Sequence, residues 1–249
     1  MDENKIKNIV LHFPWGAGGN FIRNCLLLDD RYEFDHQQNT IEERYNFLVK
    51  FYQASVTQEN WLDNEWKGPR SFLYTQYYET PVTKILDWHP HSNVIYISHG
   101  QDNEIQSIID NIELDLNHVF LIPSNKKFIT EVYVSKSPKQ DGHLRGTAPE
   151  RLTNVELYIK TLDEAHANLQ TQLIDQDKPV YNYDVNHLFN DTGYQLVLQI
   201  AQDLSVTIPE DLVKQLHNIW LTQTKKLYNT FLLDNPEINL TKIEWTKNK

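Results

Sequence analysis

Between Ile9 and Asp30 the chain reads IVLHFPWGAGGNFIRNCLLLDD: an apolar run, a knot of glycines, then a second apolar run at helical spacing. In that order a strand can deliver consecutive backbone N–H groups onto an oxyanion and follow them with a helix N-terminus. Gly16, Gly18 and Gly19 have no Cβ to obstruct the approach. Pro14, Trp15, Ala17, Asn20 and Phe21 complete the cradle, Asn20 and Asn24 offer side-chain donors, and Arg23 lies one turn into the helix, within reach of a bound anion. The alternative is a tight strand-to-helix turn with no ligand. The run is not a Walker A motif, because Gly18-Gly19-Asn20 replaces Gly-Lys-Ser/Thr, and Gly-x-Gly-x-x-Gly does not occur.

Further along, NVIYISHG ends a strand-like run in His99, whose imidazole titrates near neutral pH and suits a general base. The other reading is an exposed strand-end histidine. FLIPSNKK places Ser124, Lys126 and Lys127 after another such run. Ser124 serves either a ligand or the cap of the next helix, and the two lysines either a ligand or a solvated face. In DWHPHS, His89 and His91, with Asp87, could suggest a metal, but the His-x-His spacing lacks a defined third ligand, and no metal is expected. Trp61, Trp66, Tyr74, Tyr77 and Tyr78 read as core and rim, or as the wall of an acceptor pocket.

These residues need a scaffold. Strands are expected at Asn8–Phe13, Ser71–Tyr77, Asn93–Ser98, His118–Pro123 and Pro179–Val185. Helices are expected over Asn20–Leu28, Ile41–Ser55 and Gln101–Ile112, and from about Lys127. A long helix is expected from about Asn154, where Thr153 and Glu156 match a capping box, with an apolar stripe through Val155, Ile159, Leu162, Leu169 and Leu173. Two more close the chain, the last behind a second capping box, Thr207 and Glu210, with Pro209 in its first turn. Strands alternating with helices imply an α/β fold, a three-layer αβα sandwich on a mostly parallel sheet with a helical C-terminal part. The polar intervals Gln58–Arg70 and Ser137–Arg151 read as loops or lids, so residues 1–249 are expected to form one domain.

The 249 residues are 40% hydrophobic and 12% aromatic, enough for a full core. The net charge of −11 disfavours nucleic acid or an anionic membrane as the partner, yet leaves room for a small anion held by amides and local cations. The single cysteine, Cys25, excludes an internal disulfide, is expected to be buried, and fits a reducing compartment. With no signal-like or membrane-spanning run, a cytoplasmic protein is expected.

HFPWGAGGNF resembles the 5′-phosphosulfate loop of the sulfotransferase family, whose P-loop-like members transfer a sulfuryl group from the nucleotide PAPS. It keeps His12, Pro14, Gly18 and Gly19, and has Trp15 in place of the family's lysine. His99 matches the place of the family's base. PSNKK is similar in layout to the 3′-phosphate strand and loop but lacks its arginine. VYNYDVNHLF through VKQLHNIW resembles the closing strand and helices, including those of short phage-type members. The resemblance implies binding of PAPS and its product PAP by residues 14–21, Ser124, Lys126 and Lys127. It implies His99 as base, and Arg23, Lys139 or Arg145 in place of the lysine. The acceptor is then an unspecified small molecule or glycan bearing a hydroxyl or amine. A catalytically silent binder of a nucleotide or protein is the alternative, and a P-loop-like kinase is the least favoured.

Overall fold

The structure is a computed structural model describing residues 7–34, 40–54, 93–100, 102–136, 146–236 and 238. Within them, β1 (Asn8–His12), β2 (Ile95–Ser98), β3 (Leu116–Ile122) and β4 (Val180–Asp184) form one sheet in the order β2-β1-β3-β4. Every pair is parallel, and His12 lies opposite both Ser98 and Phe120, so the carboxyl ends of the first three strands come close to level. Four of the five expected strands are there. The fifth, Ser71–Tyr77, and the interval Gln58–Arg70 lie outside the described residues.

Strand side chains alternate between two apolar layers, as the period of two requires. Ile9, Leu11, Ile95, Val119 and Leu121 face one, packed with α1 (Gly19–Leu26), α2 (Ile41–Ala54), α4 (Lys126–Lys136), α6 (Tyr194–Asp203) and α7 (Glu210–Asp234). Val10, Tyr96, Leu116 and Phe120 face the other, packed with Ile108 of α3 (Asp102–Ile109) and with Leu169 and Leu173 of α5 (Ala148–Asp175). Helices on both faces of a parallel sheet make the three layers an αβα sandwich. The first half of α5 reaches the opposite layer through Val155 and Ile159, so this helix ties both faces together.

Two helix starts differ from expectation. Helix α5 begins at Ala148, with Pro149 in its first turn and Thr147 and Glu150 as the capping box. Thr153, the expected cap, is inside the helix and donates to Pro149 O at 3.1 Å. Both triplets have the right spacing. The earlier start wins because it buries Ala148 and Arg151, the latter 1% exposed with its guanidinium over the Phe231 ring. The interval from Ser137 to Arg151 is therefore helical at its end. Helix α7 starts at Glu210, with Pro209 at the cap position and no side-chain cap bond among the described residues. Thr207 is engaged elsewhere: its N–H donates to Asp29 Oδ2 at 2.7 Å and its hydroxyl accepts from Arg31 Nη2 at 3.2 Å. Asp29, with a side chain only 2% exposed, is ion-paired to Arg31 and so fastens the end of α1 to the start of α7.

Gly16 sits at φ +84°, and a Cβ there would meet Tyr133 Cβ at 2.4 Å and the α4 backbone at 3.0 Å. Gly16→Ala is expected to cost about 2–4 kcal/mol, combining left-handed strain with overpacking. Thr147→Ala, at an exposed cap, should cost about 1 kcal/mol. Urea unfolding monitored by circular dichroism measures both. Equal losses would contradict the packing described for Gly16.

Candidate functional site

After His12 the chain crosses the carboxyl edge of the sheet. Phe13 N donates to Ser98 O at 3.1 Å, and Ala17 N donates to Pro14 O at 3.2 Å to close a turn. Gly18, at φ +77°, is the N-cap of α1, and among the described residues no side chain caps that helix. The first helical bond runs from Ile22 N to Gly18 O at 3.1 Å. The N–H groups of Gly19, Asn20 and Phe21 therefore have no acceptor among the described residues. Asn20 Oδ1 is buried beside them, also without a hydrogen-bond partner among the described residues. Among the described strands, the next after β1 is β2 on one side and the next after β3 is β4 on the other, in opposite directions across the sheet. The loop thus lies where open parallel sheets collect ligands.

Packing holds the rest of the loop. Pro14 and Ala17 are buried, and Phe21 stacks on Trp220 at 4.8 Å. A Cβ on Gly18 would come within 2.5 Å of Leu188. Half-buried Trp15 lies against Tyr158 (4.8 Å between ring centroids) and Tyr133 (5.7 Å), an aromatic buttress for the loop.

His99 is 3% exposed. Its ring meets Phe13 edge-on at 4.8 Å and Trp15 at 5.8 Å. Nδ1 is 3.1 Å from Phe13 O. A carbonyl only accepts, so that bond requires the Nδ1–H tautomer and leaves the lone pair on Nε2. Burial pushes the imidazole down to about 4; the bond to Phe13 opposes this, and the nearby His166 and Arg23 reinforce it. Arg23, also 3% exposed, donates through Nε and Nη2 to Asn24 Oδ1 at 3.3 and 3.1 Å. Arg23 is close enough for its charge to act on His99, and His99 is a buried histidine where an exposed strand end was the alternative.

The other expected contacts are engaged within the protein. Ser124 N donates to Asp184 Oδ1 at 3.2 Å and Ser124 Oγ to Asn186 Oδ1 at 3.3 Å. The cap of α4 is Asn125, whose Oδ1 accepts from Phe128 N at 3.0 Å. Burial favours protonation of Asp184, but hydrogen bonds from Ser124 and Asn186 outweigh it and hold the carboxyl below its ordinary value. Lys126 is ion-paired with Asp163, and Lys127 lies 4.0 Å from Glu131. Cys25 is fully buried and its thiol is pushed up by burial. Asp87, His89, His91, Lys139, Arg145, Trp61, Trp66, Tyr74, Tyr77 and Tyr78 lie outside the described residues. Among the described residues no three His, Cys, Asp or Glu side chains are placed to hold a metal ion, and no helix is long and apolar enough to cross a membrane.

Sequence reasoning missed a second group behind the loop. His12 Nε2 is 3.2 Å from His118 Nδ1, and the His12 ring stacks on Phe120 at 4.2 Å and meets His166 edge-on at 5.8 Å. All three histidines are at most 5% exposed. The signal was present for His166, which falls on the stripe between Leu162 and Leu169. His12 and His118 share a sheet face only through the β1–β3 register, which no local pattern encodes. No protein-family model, curated protein or solved structure matches this chain.

Burial drives His99, His118 and His166 each down to about 4 from an ordinary 6.5, and lowers His12 in the same direction. Above pH 6.5 these groups are neutral in both the folded and the unfolded chain. As pH falls from 6.5 towards 4, the unfolded chain takes up protons that the native state refuses. Stability should drop by up to about 1.4 kcal/mol per pH unit for each histidine and level off below their folded values. Urea midpoints between pH 7 and 4.5 read this slope, and His166→Gln should flatten it. A flat profile would mean the histidines are solvated or already charged.

Proposed function

We propose that residues 14–21 hold the 5′-phosphosulfate end of PAPS, and that the protein transfers the sulfuryl group to a hydroxyl or amine on a small molecule or glycan. The observation carrying this reading is the uncapped, largely buried start of α1 at the sheet's switch point, with Arg23 and His99 packed beside it. Amides with no acceptor among the described residues, one nearby cation and one imidazole in a defined tautomer suit an anionic donor and a neutral nucleophile.

In the proposed reaction the acceptor oxygen or nitrogen attacks sulfur. The bond from sulfur to the bridging phosphate oxygen breaks, and the acceptor's proton passes to His99 Nε2. The negative charge left on PAP is opposed by Arg23 and the loop amides. A pKa of about 4 makes a weak base, but a bound polyanion favours the charged imidazolium and raises it towards the working pH. Ser124, Lys126 and Lys127 would serve the 3′-phosphate only by exchanging their bonds to Asp184, Asn186, Asp163 and Glu131.

Trp15 favours a second reading, nucleotide or protein binding without transfer. Its indole packs on Tyr158 and Tyr133 and puts no positive charge at the leaving oxygen. Losing one such stabilising contact typically costs on the order of 10²–10³ in rate.

Thermal melting with PAP tests binding. At about 100 times its Kd, PAP should stabilise the fold by about 2.7 kcal/mol, and no shift at millimolar PAP would exclude both nucleotide readings. Given a shift, His99→Ala should leave it in place and lower the rate of PAP release from PAPS by at least 10²-fold. Equal rates would remove His99 as the base.

A further inference from the structure

The turn that carries His99 is held from three sides by groups that the proposed chemistry does not itself use. Glu104, on α3 and 5% exposed, accepts through Oε2 from His99 N at 2.8 Å and from Ser98 Oγ at 3.4 Å. Ser98 Oγ in turn accepts from Gly100 N at 3.3 Å. Tyr158, on α5, donates its hydroxyl to His99 O at 3.3 Å, and the same ring supports Trp15. Gly100 sits at φ +75°, and a Cβ there would lie 2.7 Å from His166 Nε2 and 2.8 Å from Leu162. The backbone N–H, the backbone C=O and the ring Nδ1 of His99 are each tied to a different element: α3, α5 and the glycine loop.

We propose that Glu104 and Tyr158 are positioning residues that fix the His99 backbone, and with it the imidazole that packs against Phe13 and Trp15 at the glycine loop. A carboxylate is costly to bury unless its bonds repay the lost hydration. Here both of the named bonds go to the Ser98–Gly100 turn. Were the turn only a strand exit, any backbone acceptor would satisfy the single His99 N–H. What distinguishes this arrangement is that contacts from two helices meet on one residue whose ring already has its tautomer set by Phe13 O. Small displacements of a reacting group cost large factors in rate, about 10²-fold for roughly 1 Å, so a clamp on the backbone of a base is a device for rate and leaves affinity alone. The rate consequence rests on the sulfuryl-transfer reading. The positional one does not.

The test uses the full chain. The His99 imidazole is followed by nitrogen NMR, assigned by loss of its signals in His99→Ala. The wild type should show a single Nδ1–H form. Glu104→Ala should convert it to an averaged mixture of tautomers, Tyr158→Phe should do so in part, and Glu104→Gln, which keeps an acceptor oxygen, should restore the single form. PAP-induced stabilisation should be unchanged in all three variants, while PAP release from PAPS falls about 10- to 100-fold in Glu104→Ala and recovers in Glu104→Gln. An unchanged His99 spectrum in both Glu104→Ala and Tyr158→Phe overturns the proposal, as does a Glu104→Gln variant no better than Ala. If Glu104→Ala does not fold, Tyr158→Phe and Glu104→Gln decide by the same spectrum. Absence of any PAP shift in the wild type removes both nucleotide readings and leaves the clamp, which the spectrum still judges.

Discussion

The path of the chain past α4 governs the candidate site. Gly16 crosses that helix where Tyr133 Cβ and the helix backbone leave no space for a side chain, and it does so at a φ that only glycine adopts cheaply. Because the crossing is this close, Trp15 is turned onto Tyr133 and Tyr158. Gly18 is pressed against Leu188 and Trp220, and α1 starts with its amides next to the sheet's edge. A bulkier loop would stand off from α4 and separate His99 from Phe13 and Trp15, the two rings that enclose it. The glycines therefore serve packing first. The uncapped start of α1 is what remains once that packing is complete.

Electrostatics at this edge differ from the protein's average. The chain carries −11 overall, which repels an anionic ligand at long range, but salt screens that field within about 8 Å. Inside the site the relevant charges are the partial positive end of α1, the buried Arg23 guanidinium and imidazoles that burial keeps neutral. The opposite loop is built the other way. There Asp184, held ionised by Ser124 and Asn186, takes up the Ser124 and Asn186 amides. At one end of the switch point the start of α1 has no side-chain cap among the described residues, and the other end is satisfied by the protein's own carboxylate.

The histidines behind the loop illustrate a related constraint. His12, His118 and His166 fill the layer between the sheet and α5, where leucine or phenylalanine would pack without cost in hydration. They are tolerated because they stay neutral and because His12 and His118 bond to each other. His166 also lies against Gly100, so this layer touches the turn that presents His99.

Much of the architecture could be read from the chain itself. Apolar runs such as NVIYIS and HVFLIP, separated by segments at helical period, specify buried parallel strands and their covering helices, because periodicity is a property of each segment alone. The glycine loop at the end of β1 and a histidine at the end of β2 were legible for the same reason. Burial of Cys25 followed from its apolar neighbours. Other features belong to contacts between segments far apart in sequence. Thr147 caps α5 in place of Thr153 because Arg151 finds Phe231. Thr207 leaves its expected cap because Asp29 claims its N–H. Ser124 gives the cap of α4 to Asn125 because Asp184 and Asn186 lie opposite. The depressed basicity of His99, its tautomer and its clamp by Glu104 and Tyr158 exist only once three elements converge on it. Local sequence sets which residues can reach the site; tertiary packing decides which hydrogen bonds they make, because each donor or acceptor is claimed by the partner that burial brings nearest.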